Sequence, residues 1–198
     1  MADSNDTRKD SLKGRLSRHW RAIVIGMVIM LAGAVTAAAI GVGLDATNEM
    51  GFCISCHTMT VNYDEYRVTS HYRSRTGVRA TCADCHVPKE LGPKLFAKVI
   101  AVKDLYHEIV GTIDTPEKYE AHRWRMATAV WDKMRANDSR ECRTCHQFEH
   151  MDLSEQGRTA RRKHGRAMED GGKTCIDCHQ GIAHELPDEP EEPEEKAY

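Results

Sequence analysis

Apolar residues are unevenly spread along the chain, and the densest run, residues 22–44 (AIVIGMVIMLAGAVTAAAIGVGL), contains no charge. At 1.5 Å per residue this run reaches roughly 34 Å, enough to cross a hydrocarbon core of roughly 30 Å. It predicts one transmembrane helix. Farther on, Leu95, Val99, Val102, Leu105 and Tyr106 recur at helical spacing beside Lys98, Lys103, Asp104 and Glu108, which predicts a helix over 94–110. Another starts at Thr115-Pro116-Glu117, with Thr as N-cap and Pro at the first helical position. It continues through Trp124, Met126, Val130, Trp131 and Met134 to Asn137, with both Trp on a face suited to a cofactor or a membrane interface. A short helix is expected over 154–168. No run alternates as a strand would, so the expected fold class is mainly α.

Charge orients the span. Arg8, Lys9, Lys13, Arg15, Arg18 and Arg21 precede it, and Asp45 and Glu49 are the first charges after it. The positive-inside rule puts residues 1–21 in the cytoplasm and everything after Leu44 outside. Ala37-Ala38-Ala39 would suit a cleaved signal sequence, but the apolar run continues past it and exceeds the roughly 7 to 15 residues of a signal core. The reading is an uncleaved anchor. Gly26 and Gly33, with Ala22, are compatible with a close helix contact and a homodimer.

Beyond the span the chain is short of core-forming residues. It has three Phe in all, and its near-neutral net charge of −2, with few basic clusters, gives no support to a nucleic-acid surface. Folding costs roughly 1 to 2 kcal/mol of backbone entropy per residue, so something besides side chains must fill the interior. Residues 187–198 (PDEPEEPEEKAY) are too polar to fold and are expected to form a disordered acidic tail.

The eight Cys supply the missing material, since they fall into four C-x-x-C-H motifs: Cys53/Cys56/His57, Cys82/Cys85/His86, Cys142/Cys145/His146 and Cys175/Cys178/His179. This is the attachment signal of c-type haem, in which two thiols add to the porphyrin vinyl groups and the adjacent His ligates iron. Zinc would use the Cys pairs but does not require His next to them. With 11 His in 198 residues, four such coincidences have a chance on the order of 10⁻⁵ by composition. A disulfide in each C-x-x-C would suit the outside location, yet that ring is more often a redox or ligand motif. The cofactors expected are four covalently bound haem c groups, each an apolar plate around which a short chain can wrap.

The motifs repeat as two pairs. His71 lies 11 residues before Cys82, as His164 lies 11 before Cys175, and Thr81-Cys82-x-Asp84-Cys85-His86 matches Thr174-Cys175-x-Asp177-Cys178-His179. Two dihaem units follow, about 45–93 and 137–186, joined by helices over 94–136 within a helical domain 45–186. His71 and His164 are the strongest candidates for distal ligands, each to a haem of the other unit, and His184 is a third. His107, His122 and His150 read as ordinary helix or surface residues, and His19 lies on the cytoplasmic side.

The anchor, the paired motifs, Lys103-Asp104-Leu105-Tyr106, Thr115-Pro116-Glu117-Lys118, Asn137-Asp138-Ser139-x-x-Cys142 and the closing Cys175-Ile176-Asp177-Cys178-His179-x-Gly181-Ile182-Ala183-His184 together resemble the NapC/NirT family over residues 20 to 187. The resemblance implies a membrane-anchored tetrahaem quinol dehydrogenase. Its substrate would be the membrane quinol pool and its partner a periplasmic terminal reductase, with nitrate reductase leading and nitrite, trimethylamine N-oxide and dimethyl sulfoxide reductases behind. Cys56-His57-Thr58-Met59 is similar to the C-x-x-C-H-x-M string in the anchor subunit of the cytochrome c nitrite reductase complex, so either His57 or Met59 is expected to bind the first iron. The same likeness assigns Asp104 to the open face of that haem as the base for quinol. Lys98 would hold a quinol oxygen or tune the carboxylate. Two other classes compete: an electron-transfer subunit without a quinol site, and a small-molecule reductase working at an open haem.

Overall fold

The computed structural model describes residues 4–190, with side chains from His19 onward, and divides into two units, Met1–Thr47 and Asn48–Tyr198. The first is one helix, α1 (Ser4–Ala46), in which His19–Ala46 is long and apolar enough to cross a membrane. The helix therefore begins well before the apolar run predicted from Ala22. Nothing in residues 4–21 breaks it, and the basic residues there are good helix formers.

The second unit contains α2 (Met50–Cys53), α3 (Met59–Tyr66), α4 (Cys82–His86), α5 (Leu91–Ile109), α6 (Pro116–Ala136), α7 (Arg140–Arg143) and α8 (Arg158–Asp170), with 3-10 turns at Phe148–His150, Leu153–Glu155 and Cys175–Asp177. No strand occurs among the described residues. The fold is mainly α, as the periodicity implies. α6 starts where its cap predicts, since the Thr115 hydroxyl accepts from the Lys118 N–H at 3.3 Å and Pro116 opens the helix. Trp124 and Trp131 meet edge to face, with centroids 5.8 Å apart. α8 begins later than the expected residue 154, because Asp152 caps a separate turn by accepting from the Ser154 N–H at 2.8 Å. The expected tail starts at 187: residues 187–190 have no regular structure, and 191–198 lie outside the described residues.

The core is as thin as the composition implies. Its buried hydrophobic side chains are Tyr66, Ala83, Ile113, Tyr119, Met134 and Ile176, interleaved with buried Thr58, Arg123, Ser139 and Glu141. Short helices that cannot stand alone are tied by polar contacts instead. α2 packs on α4, α4 on α7, and α6 on the Cys175–Asp177 turn.

Candidate functional site

Each Cys motif sits on a short helical turn, and the repeat seen in the sequence is a repeat of local structure. Before motif two the Thr81 N–H donates to Asp84 Oδ2 at 2.7 Å, and before motif four the Thr174 N–H donates to Asp177 Oδ2, also at 2.7 Å. Both are capping boxes: the Thr hydroxyl caps the turn while the Asp reaches back. The Thr-Cys-x-Asp string carried this signal. In motifs three and four the His146 and His179 N–H groups each donate to the first Cys carbonyl at 2.9 Å, which directs the imidazole away from the turn. Motif one differs, because there the Met59 N–H donates to the Cys56 carbonyl at 3.0 Å and α3 begins at Met59.

No disulfide joins any of the eight Cys. They run in sequence through the unit. Cys82 lies near Cys53, Cys145 near Cys85, and Cys142 near both Cys85 and Cys175. Among the described residues no three His, Cys, Asp or Glu converge as tetrahedral zinc would require.

The histidines meet in pairs. His71 faces His146 with ring centroids 6.1 Å apart, His86 faces His184 at 6.2 Å, and His164 faces His179 at 5.8 Å. Two metal–imidazole bonds of about 2 Å, plus the half-widths of two rings, separate ring centres by about 6 Å. The pairs therefore fit an iron held between them. Beside His86 lies a small cavity lined by Cys85, Val130, Lys133, Met134 and Glu141. His71, from the first half of the unit, faces His146 of the second, whereas His164 faces His179 of its own half.

Five of the six paired histidines are kept neutral or oriented by their surroundings. His86 remains solvent-accessible, yet desolvation, with His184 and Lys133 nearby, pulls its pKa down to about 4. Desolvation also lowers His179, helped by His164 and His146, and it outweighs the raising influence of Glu65 on His184. Neutral imidazole is the ligating form. His164 Nδ1 lies 2.6 Å from Gln156 Oε1. His71 is carried by a loop tied to buried Tyr66, whose hydroxyl donates to the His71 carbonyl at 3.3 Å and to the Ala80 carbonyl. Burial raises that phenol to about 12. The loop bearing His184 is clasped by Arg123 and Glu65: Arg123 Nη2 donates to both Glu65 carboxylate oxygens at 2.6 Å and to the Glu185 carbonyl at 3.0 Å, and Glu65 Oε2 accepts the Glu185 N–H at 3.0 Å.

Among the described residues motif one has no such pair. His57 Nε2 lies 2.6 Å from the Asp114 carbonyl, and its Nδ1 is 3.6 Å from Glu108 Oε1. Buried Thr58 donates to Glu108 Oε2 at 2.9 Å, and Met59 is half-buried beside Asn62. Lys98 stands near Cys53, and desolvation lowers its pKa against the raising influence of that thiol. Asp104 is exposed and makes no hydrogen bond or ion pair among the described residues. The carboxylate at motif one is Glu108, one turn on from Asp104; the i, i+4 spacing of the two acids was the available sign that they share a face. His107 bonds Thr112, His122 bonds the Lys118 carbonyl, and neither they nor exposed His150 meet a motif histidine.

The NapC/NirT cytochrome c family, N-terminal region, matches residues 15–189. A tetraheme cytochrome-c type protein of Allochromatium vinosum is 52% identical over 89% of this chain and 95% of its own length. The cytochrome c-type protein NapC of Escherichia coli is 47% identical over 93% of this chain and 95% of its own. The denitrification system component NirT of Stutzerimonas stutzeri is 48% identical over 94% of each.

Proposed function

Because the chain belongs to the NapC/NirT cytochrome c family, and so is a membrane-anchored electron-transfer cytochrome with covalent haem c, we propose that it oxidises quinol and feeds a soluble periplasmic terminal reductase. The observation that carries this is the contrast among the motifs. His86, His146 and His179 each face a second histidine, whereas His57 is turned onto the Asp114 carbonyl. Haem c at the four motifs would supply one-electron acceptors, with two histidines available to hold the iron at motifs two to four and Met59 at motif one.

The chain's own residues then have to manage protons. Quinol releases two protons with its two electrons, so the site needs a base. Asp104 is exposed and unengaged, which leaves its carboxylate open to a quinol hydroxyl. Glu108, one turn along the same face, holds Thr58 and stands by His57, so Met59 would be the residue to hold the iron at motif one. Lys98 near Cys53 brings a positively charged group that can donate to a quinol oxygen. The basic residues before the span and acidic ones after it support a periplasmic cytochrome domain. By family analogy the acceptor is a periplasmic nitrate reductase, ahead of nitrite, trimethylamine N-oxide and dimethyl sulfoxide reductases.

Asp104→Asn tests the reading in membranes containing the holo-protein. Reduction by a quinol analogue is expected to slow by roughly 10²–10⁴-fold, while reduction by dithionite is unchanged. An unchanged quinol rate would instead favour an electron-transfer subunit supplied by another membrane protein.

A further inference from the structure

α5 is built inside out for a helix in water. None of its residues is buried, and Leu91, Leu95, Phe96, Val99, Val102, Tyr106 and Ile109 are between 41% and 75% exposed. Its half-buried positions are Lys94, Ala97, Lys98, His107 and Glu108. The side that meets the protein is thus the small and polar one, with Glu108 bonded to Thr58 and Lys98 near Cys53. Leu91, Leu95, Val99, Val102, Tyr106 and Ile109 follow helical spacing along one outward stripe. α6, of similar length, does the reverse and buries Tyr119 and Met134.

An apolar stripe on this scale requires a covering, since soluble surfaces seldom expose contiguous apolar patches of such extent. A porphyrin at motif one cannot supply it, because the stripe runs the length of a 19-residue helix, about 28 Å, and faces away from that motif. We infer that the outward face of α5 lies in the phospholipid interface of the bilayer crossed by the N-terminal span, as an amphipathic interfacial helix. Two further features select lipid. Only Thr47–Glu49 separate α1 from α2, so covalent geometry keeps the start of α2, the helix that ends in Cys53, within roughly 15 Å of the last residue of α1. Lys94, Lys98 and Lys103 flank the stripe, as anionic headgroups favour. The helix rests on the membrane anchor and not on the quinol reading: it would dock motif one to the bilayer whether or not Asp104 receives protons.

The test uses full-length holo-protein in nanodiscs of phosphatidylethanolamine and phosphatidylglycerol, with a nitroxide on Val99→Cys, Ile109→Cys or, on the exposed polar side of α8, Arg162→Cys. Collisional access to oxygen relative to a water-soluble nickel complex is expected to be severalfold higher at residues 99 and 109 than at 162. Equal nickel access at all three would overturn the inference. So would spin–spin broadening in discs holding two copies, which marks a self-interface, or protection from both reagents, which marks a protein or porphyrin covering. On the unaltered chain, a phospholipid carrying a photoreactive acyl group should crosslink within residues 91–109. Crosslinks to α1 alone would also overturn it.

Discussion

His164 Nδ1 lies 2.6 Å from Gln156 Oε1, and because an amide oxygen only accepts, Nδ1 carries the proton and Nε2 is left with the lone pair. His164 also faces His179, so this one contact sets both the orientation and the tautomer of a prospective ligand. Gln156→Leu should free the ring, and second-shell losses of this kind cost roughly 10–100-fold in metal affinity. The expected outcome is full covalent haem content but a new high-spin ferric signal and carbon monoxide binding after reduction. Spectra matching the unaltered protein would deny Gln156 this positioning role.

The Glu65–Arg123 pair is nearly buried, with side chains 11% and 10% exposed, and it joins α3, α6 and the loop bearing His184. Glu65→Ala strands the guanidinium and should cost about 3–5 kcal/mol. The urea midpoint measures this, and loss of the low-spin signal from the His86–His184 pair should accompany it. Glu65→Gln keeps one acceptor and should cost less.

Ser139 is fully buried at φ 49°, following Asp138 at φ 57°, and its hydroxyl accepts the Ile176 N–H at 3.2 Å. Two consecutive left-handed residues other than glycine mark a turn that the surrounding contacts hold in place. That turn seats motif three against motif four. Ser139→Ala leaves a buried N–H unpaired, at about 1–3 kcal/mol. Ser139→Gly relieves the backbone without restoring the acceptor, so it should fall between Ala and the original residue in chemical denaturation.

Asp177 is held below its ordinary pKa of 3.8 chiefly by the Thr174 N–H, with Arg135 Nε donating at 2.9 Å. A carboxyl whose folded pKa is depressed contributes stability that is fully present above its unfolded value and is lost as pH falls through the folded one. The difference in urea midpoint between the original protein and Asp177→Asn should therefore be constant above about pH 5 and shrink in the acid range below 3.8. A difference that does not vary with pH would assign Asp177 no charge-dependent role.

Legibility followed the range of the interactions. The start of α6 was readable at Thr115-Pro116 because a cap bond spans three residues, and α1 was readable because membrane length is a property of one uninterrupted segment. The late start of α8 was missed because a single Asp152 side chain captured the preceding turn. Asp104 drew attention as the acid in a family-like string, yet the fold presents Glu108 to Thr58 and leaves Asp104 in solvent. Helical phase alone could not tell which side of α5 meets the protein, since apolar faces ordinarily turn inward and here the apolar face turns outward.

The letters by themselves determined the chemistry: four thiol pairs each followed by histidine, a charge-free span, and too few apolar residues to build an interior from side chains. Covalent attachment and lipid insertion depend on residue type and local spacing, and both are written in a linear order. Only the tertiary structure decided which imidazole faces which, pairing His71 with His146 and His86 with His184 from distant parts of the chain while turning His57 onto the Asp114 carbonyl. Those relations depend on contacts such as the Glu65–Arg123 clasp and the Ser139–Ile176 bond, whose partners have no fixed sequence separation and are brought together only by folding.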